Sequence, residues 1–105
     1  MVARVTLAEI DTVRVPLDDA IELYEQSVLP ALRGQPGYEG AYVLATPEGK
    51  AMVLTFWADE AAAGAGIESG FYAEQVGKFV TVYRTPPGRE LYDVAAAEAP
   101  AVATC

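Results

Sequence analysis

The chain has 105 residues, 52% of them hydrophobic and 10% aromatic, and its 15 acidic and 7 basic residues give a net charge of −8. That length sets one domain, able to bury about 65% of its unfolded surface without staples, and the composition is too apolar for disorder. The negative charge argues against nucleic acid and against anionic membranes as partners. With no histidine and a single cysteine, Cys105, the usual zinc and haem ligand sets and an internal disulfide are missing, so no metal and no cofactor is expected.

The segment from Val2 to Asp11 alternates and predicts a first strand, with Val5, Leu7 and Glu9 on one face and Thr6, Ala8 and Ile10 on the other. Glu9 reads as a solvated rim position. Leu17, Ala20, Ile21, Tyr24, Val28, Ala31 and Leu32 then recur at helical spacing, which predicts a helix over Leu17 to Arg33. Pro16 suits its entry, Asp18, Asp19 and Glu22 complement the positive end of its dipole, and Gly34 suits its stop. Pro30 falls inside the pattern, where it must kink the helix or begin its last turn.

Tyr38 to Ala45 and Lys50 to Trp57 predict strands two and three, joined by Thr46-Pro47-Glu48-Gly49 as a hairpin in which Gly49 supplies a positive φ. Strand three is the informative one. Met52, Leu54 and Phe56 point one way, and Ala51, Val53, Thr55 and Trp57 the other, so both faces are apolar and each must be covered. Asp59 then predicts an N-cap for a short helix. A break is expected near Gly66 to Gly70, followed by a second helical piece from about Phe71 to Tyr83 with Phe71, Tyr72, Val76, Phe79, Val80 and Tyr83 as its apolar stripe. Thr85-Pro86-Pro87-Gly88 ends that piece, Arg89 to Val94 predicts a fourth strand, and residues 96–105 read as an alanine-rich tail to a domain of residues 1–95.

The order β-α-β-β-α-β is the α+β, ferredoxin-like pattern: one antiparallel sheet with helices on one face. The second apolar face of strands two and three is then most economically covered by a second copy, which predicts a homodimer. No stretch resembles a signal peptide or an 18-residue apolar span, so a cytoplasmic protein is expected.

With these elements in place, three segments carry a family resemblance: Ser27-Val28-Leu29-Pro30-Ala31-Leu32-Arg33, Gln35-Pro36-Gly37-Tyr38-Glu39-Gly40-Ala41, and Val53-Leu54-Thr55-Phe56-Trp57-Ala58-Asp59-Glu60-Ala61. Arg89-Glu90-Leu91-Tyr92-Asp93-Val94 follows at the end. The chain resembles the antibiotic biosynthesis monooxygenase-like branch of the dimeric α+β barrel superfamily over about residues 2–95. The resemblance implies a pocket between sheet and helices with a Trp at the end of the third strand, which Trp57 matches. It implies cofactor-free oxidation of polyketide-type aromatic phenols as one activity and haem degradation as another. The haem-degrading members use a His and an Asn, and the oxygenases pair an Asn with the Trp; this chain has neither residue type.

The candidate ligand-binding residues are Trp57, Tyr72, Phe71, Tyr24 and Arg84. Trp57 can stack on an aromatic ligand and offer its indole N–H, and Tyr24 points inward from the first helix. Core packing is the plainer reading of Phe71, Tyr72, Phe79 and Tyr83. Gly64-Ala65-Gly66 and Ser69-Gly70 lack the spacing of a phosphate loop and read as helix punctuation, or as the hinge of a lid. No catalytic acid–base pair is legible. Three functions follow: an oxygenase-like pocket protein for an aromatic small molecule, a non-catalytic ligand-binding or structural module, and a polyketide cyclase or isomerase.

Overall fold

A computed structural model describes residues 1–98 of the chain. Residues 99–105, which include Cys105 and most of the predicted tail, lie outside the described residues. Four strands, β1 (Val2–Glu9), β2 (Tyr38–Ala45), β3 (Lys50–Trp57) and β4 (Gly88–Asp93), form one antiparallel sheet in the order β2-β3-β1-β4. Four helices, α1 (Leu17–Leu23), α2 (Leu29–Arg33), α3 (Glu60–Glu68) and α4 (Phe71–Gly77), cover one face. This is the ferredoxin-like architecture expected from the order of the elements.

β1 and β3 are the central strands, and their register puts alternate residues toward the helices. Val2, Thr6 and Ile10 are buried on that side, and Trp57, opposite Val2, is 1% exposed. β2 and β3 keep their predicted bounds, and the hairpin between them turns as expected, with Gly49 at φ 97°. A side chain there would strike the carbonyl of Ile10, whose own N–H donates to Gly49 O at 2.8 Å. β1 ends at Glu9, short of the predicted Asp11, because Ile10 bridges Tyr83 and Asp11 N–H donates to Val82 O instead of pairing within the sheet.

Two helical expectations are corrected. The predicted run Leu17 to Arg33 is helical throughout, but Tyr24–Val28 is a π-helical turn between α1 and α2. Pro30 accounts for this: it has no N–H for the carbonyl four residues back, and its ring crowds that turn, so the chain widens just upstream. The break expected near Gly66 to Gly70 is present and falls at Ser69–Gly70, where Gly70 takes a left-handed φ of 82°, while Gly66 itself lies buried inside α3. The second piece stops at Gly77 rather than Tyr83, with Gly77 and the hydrogen-bonded turns after it ending the regular pattern. Val80 consequently drops out of the predicted stripe and is exposed, Phe79 stays in the core, and Val82, which the predicted stripe lacks, is buried there as well. The Asp59 cap is present, its carboxylate accepting from Ala62 N–H at 2.8 Å.

One register detail matters for the site. Tyr38 pairs with Trp57 and Gly40 with Phe56, so β2 carries a bulge at Glu39. Without it Tyr38 would share the outward face of Tyr42; the extra residue turns Tyr38 to the helix side, where its ring meets Trp57 edge-on at 5.8 Å.

Candidate functional site

A half-enclosed cavity of about 100 Å³ lies between the sheet and the helices. Its floor comes from β1 and β3, through Arg4, Thr6, Val53, Thr55 and Trp57; its roof comes from Tyr24 on the π-helical turn and from Phe71, Tyr72, Gln75 and Phe79 around α4. Four of the five candidate residues, Trp57, Tyr72, Phe71 and Tyr24, are brought to this one cavity. Arg84 is not. It is exposed beyond the end of α4, tied by its backbone N–H to Glu9 O at 2.9 Å.

The residue that the candidate list lacks is Arg4. It is 7% exposed on a central strand, and its guanidinium donates to the carbonyl of Ala63 on α3. It lies 5.8 Å from the centroid of the Trp57 ring and 5.0 Å from that of Tyr72, and Arg89 also lies over Tyr72 at 5.0 Å. Among the described residues the ion pair present is Arg14–Asp11 at 4.0 Å, on the surface, and Arg4 has no carboxylate partner. Burial pulls the Arg4 pKa down from its ordinary value; Tyr72 opposes that shift and the Arg89 charge adds to it. An arginine remains protonated in proteins, so the cavity floor holds a cation that aromatic faces and one carbonyl only partly compensate. A sequence signal for it existed: Arg4 shares the helix-facing side of β1 with Thr6, Ala8 and Ile10, an unusual place for a charge.

The aromatic hydroxyl and indole groups divide into satisfied and free. Tyr72 Oη and Thr6 Oγ1 are hydrogen-bonded at 2.8 Å. Trp57 Nε1 donates to Thr55 Oγ1 at 3.0 Å, so the indole N–H expected to reach a ligand is already committed and Trp57 is left with its ring face. Tyr24 Oη is fully buried and unpartnered. Burial raises the Tyr24 pKa well above 10, with Tyr38 and Tyr83 adding to the shift, and burial likewise pushes Tyr83 up to about 12. These phenols are therefore neutral across the ordinary pH range.

No protein-family profile matches the chain, and no curated relative does. Solved structures do. A protein of unknown function from Nitrosomonas europaea is 23% identical, covers 96% of this chain and 95% of its own, and superposes with a TM-score of 0.72. A monooxygenase from Streptomyces coelicolor, in complex with Nanaomycin D, is 22% identical over 95% of this chain and 92% of its own, with a TM-score of 0.66. The heme-degrader MhuD from Mycobacterium tuberculosis, with two hemes bound in its active site, is 20% identical over 94% of this chain and 100% of its own, with a TM-score of 0.63. The fold is thus the one found in antibiotic biosynthesis monooxygenase-like proteins. It serves more than one activity, and function has to be argued from the site. Haem does not suit this site: the chain has no histidine, and a porphyrin is several times larger than a cavity of about 100 Å³.

Proposed function

We propose that the protein binds a small aromatic molecule bearing an ionisable oxygen in the cavity between sheet and helices, as a homodimer whose second copy covers the outer face of the sheet. Arg4 is the observation that carries this reading. An arginine residue only 7% exposed, with no carboxylate in ion-pair contact among the described residues, is costly to maintain, and a phenolate oxygen entering the cavity would supply a contacting counter-charge. The ring of such a ligand would lie among Trp57, Phe71 and Tyr72. The volume suits a single ring; drug-sized pockets run to roughly 300–1,000 Å³. A larger polycycle would require α4 to move outward about Gly70.

The activity that fits this chemistry is cofactor-free oxygenation. A bound phenolate is electron-rich and stripped of water, and the substrate itself is the reductant. A phenol with a free ring position and O2 give a quinone and water: one oxygen atom enters the ring and the other leaves as water. Arg4 would hold the phenolate and stabilise its charge as electrons pass to O2, and the apolar walls would exclude solvent.

Titration with 4-nitrophenol tests the binding step, because the absorbance of its phenolate reports ionisation directly. The apparent pKa of bound 4-nitrophenol should fall below its value in solution, and Arg4→Met should abolish that fall while the protein stays folded by circular dichroism. Binding with no change in pKa would contradict the role of Arg4. Oxygen uptake with 2,6-dimethylphenol, a single-ring phenol with a free position para to its hydroxyl, measured above its autoxidation, then separates an oxygenase from a binding module: binding without uptake leaves the module.

A further inference from the structure

One buried polar side chain of the cavity has no part in that scheme. Gln75 is 8% exposed on α4 and lines the cavity together with Phe71 and Phe79, which lie one helical turn before and after it in the sequence. An apolar residue would fill such a place at lower cost, so the carboxamide calls for an explanation. The fold accounts for half of it. Gln75 Oε1 accepts a hydrogen bond from Lys78 Nζ at 2.8 Å, and the same ammonium donates to Ser27 O at 3.3 Å, which ties the end of α4 to the π-helical turn. An ammonium only donates, so this contact fixes which end of the amide is the oxygen and turns Nε2 away from Lys78. Nε2 makes no hydrogen bond among the described residues and keeps accessible surface, and the space that Gln75 lines is the cavity.

The roof therefore presents an oriented amide donor to a cavity whose floor holds Arg4. Lys78 strengthens that donor, because a charged partner on the oxygen polarises the amide. The surroundings select what it takes. Among the walls of Phe71, Val76 and Phe79, a second anionic oxygen would have a neutral amide as its partner, at a large desolvation cost. An uncharged oxygen carries no such cost. We infer that Gln75 Nε2 donates a hydrogen bond to an uncharged carbonyl oxygen of the ligand while the phenolate oxygen lies at Arg4, so that the cavity selects phenols that also carry a carbonyl. This rests on the pocket reading above and adds to it a specificity-determining residue on the roof.

The probes are 4-hydroxyacetophenone and 4-isopropylphenol, two phenols of similar size in which a methyl group replaces the carbonyl oxygen. Calorimetric titration of the full chain gives the preference for the ketone as a ratio of dissociation constants, and comparing that ratio between variants cancels the probes' own difference in acidity. Gln75→Met, which keeps the length of the side chain and removes the donor, should lower the preference about threefold to tenfold, the range of one neutral hydrogen bond. Gln75→Glu keeps an oxygen for Lys78 and replaces the donor by an acceptor, so it should lose the preference as well. An unchanged preference in both variants overturns the inference and leaves the pocket and Arg4 as described. Loss in Gln75→Met with retention in Gln75→Glu also overturns it, since Gln75 would then act only by holding Lys78. If wild type binds neither phenol, the pocket reading itself fails and the inference falls with it.

Discussion

Val53 and Leu54 are neighbours in β3 and belong to two different surfaces. Val53 faces the helices, where Val43, Thr55 and Trp57 share its side and the polar groups of Arg4, Thr6 and Tyr72 converge. Leu54 faces outward, beside Val5 and Tyr42, on a side where Leu7, Leu44 and Tyr92 are each about half exposed. The Tyr42 and Phe56 rings meet edge-on at 5.9 Å there, so the outward side is ordered as well as apolar. A pattern of alternation alone makes the two faces look equivalent. They differ in what interrupts them: the helix side contains a buried cation and hydrogen-bonded hydroxyls around a void, as a ligand site does, whereas the centre of the outer side offers apolar area to be covered.

The sharpest way to break this comparison is to put the same charge on each face. Val53→Lys places a second unpaired cation under the helices, on the same side as Arg4, and should cost about 3–5 kcal/mol, leaving the chain largely unfolded in a denaturant titration. Leu54→Lys should leave the fold intact and shift the protein from dimer to monomer in sedimentation equilibrium. A folded Val53→Lys variant, or a Leu54→Lys variant that stays dimeric, would mean that the two faces have been assigned wrongly.

A smaller effect is expected at Trp57. Trp57→Phe removes the indole from a site 1% exposed, together with its bond to Thr55, and should cost about 1–3 kcal/mol. It should weaken 4-nitrophenol binding and leave the sedimentation behaviour unchanged, because Trp57 belongs to the helix side. Loss of the dimer in this variant would show that the two faces are coupled.

The smallest effect near neutrality is the pH dependence that the buried phenols impose. Tyr83 titrates at about 12 in the folded chain and a tyrosine at about 10 in the unfolded one, and Tyr24 is shifted in the same direction. Between those values the unfolded chain has lost protons that the folded chain keeps, so stability is full below pH about 10 and falls as pH rises through about 12. Denaturant titrations at pH 9 and pH 11 should differ in that sense; a greater stability at pH 11 would contradict the burial of these phenols.

Much of this organisation was legible in the residues. The strands β2 and β3, the Asp59 cap and the antiparallel sheet with helices on one face follow from periodicity and turn chemistry, and the pocket at Trp57 was implied by the family resemblance. The rest was hidden for identifiable reasons. The bulge at Glu39 has no signal in a strand whose alternation reads cleanly, so the inward turn of Tyr38 could not be foreseen. The π-helical turn is an accommodation to Pro30, and because the apolar residues around it still recur at three- and four-residue intervals in the sequence, periodicity does not reveal it. Arg84 directly follows the helical piece expected to run to Tyr83, but α4 ends at Gly77, and the residue lands outside the cavity. Arg4 was visible by parity as a charge on the core side of a central strand; it was the odd member of an otherwise ordinary alternation.

The central claim is that the helix side of the sheet, and not its outer side, receives an aromatic ligand with its oxygen at Arg4. Crystals soaked with 4-bromophenol test this directly, because the anomalous signal of bromine locates the ring without prior assumption. The account predicts one bromine peak per chain inside the cavity among Trp57, Phe71 and Tyr72, with the phenol oxygen within hydrogen-bond distance of the Arg4 guanidinium. A cavity without bromine, or a peak on the outer face beside Tyr42 and Leu54, would contradict it.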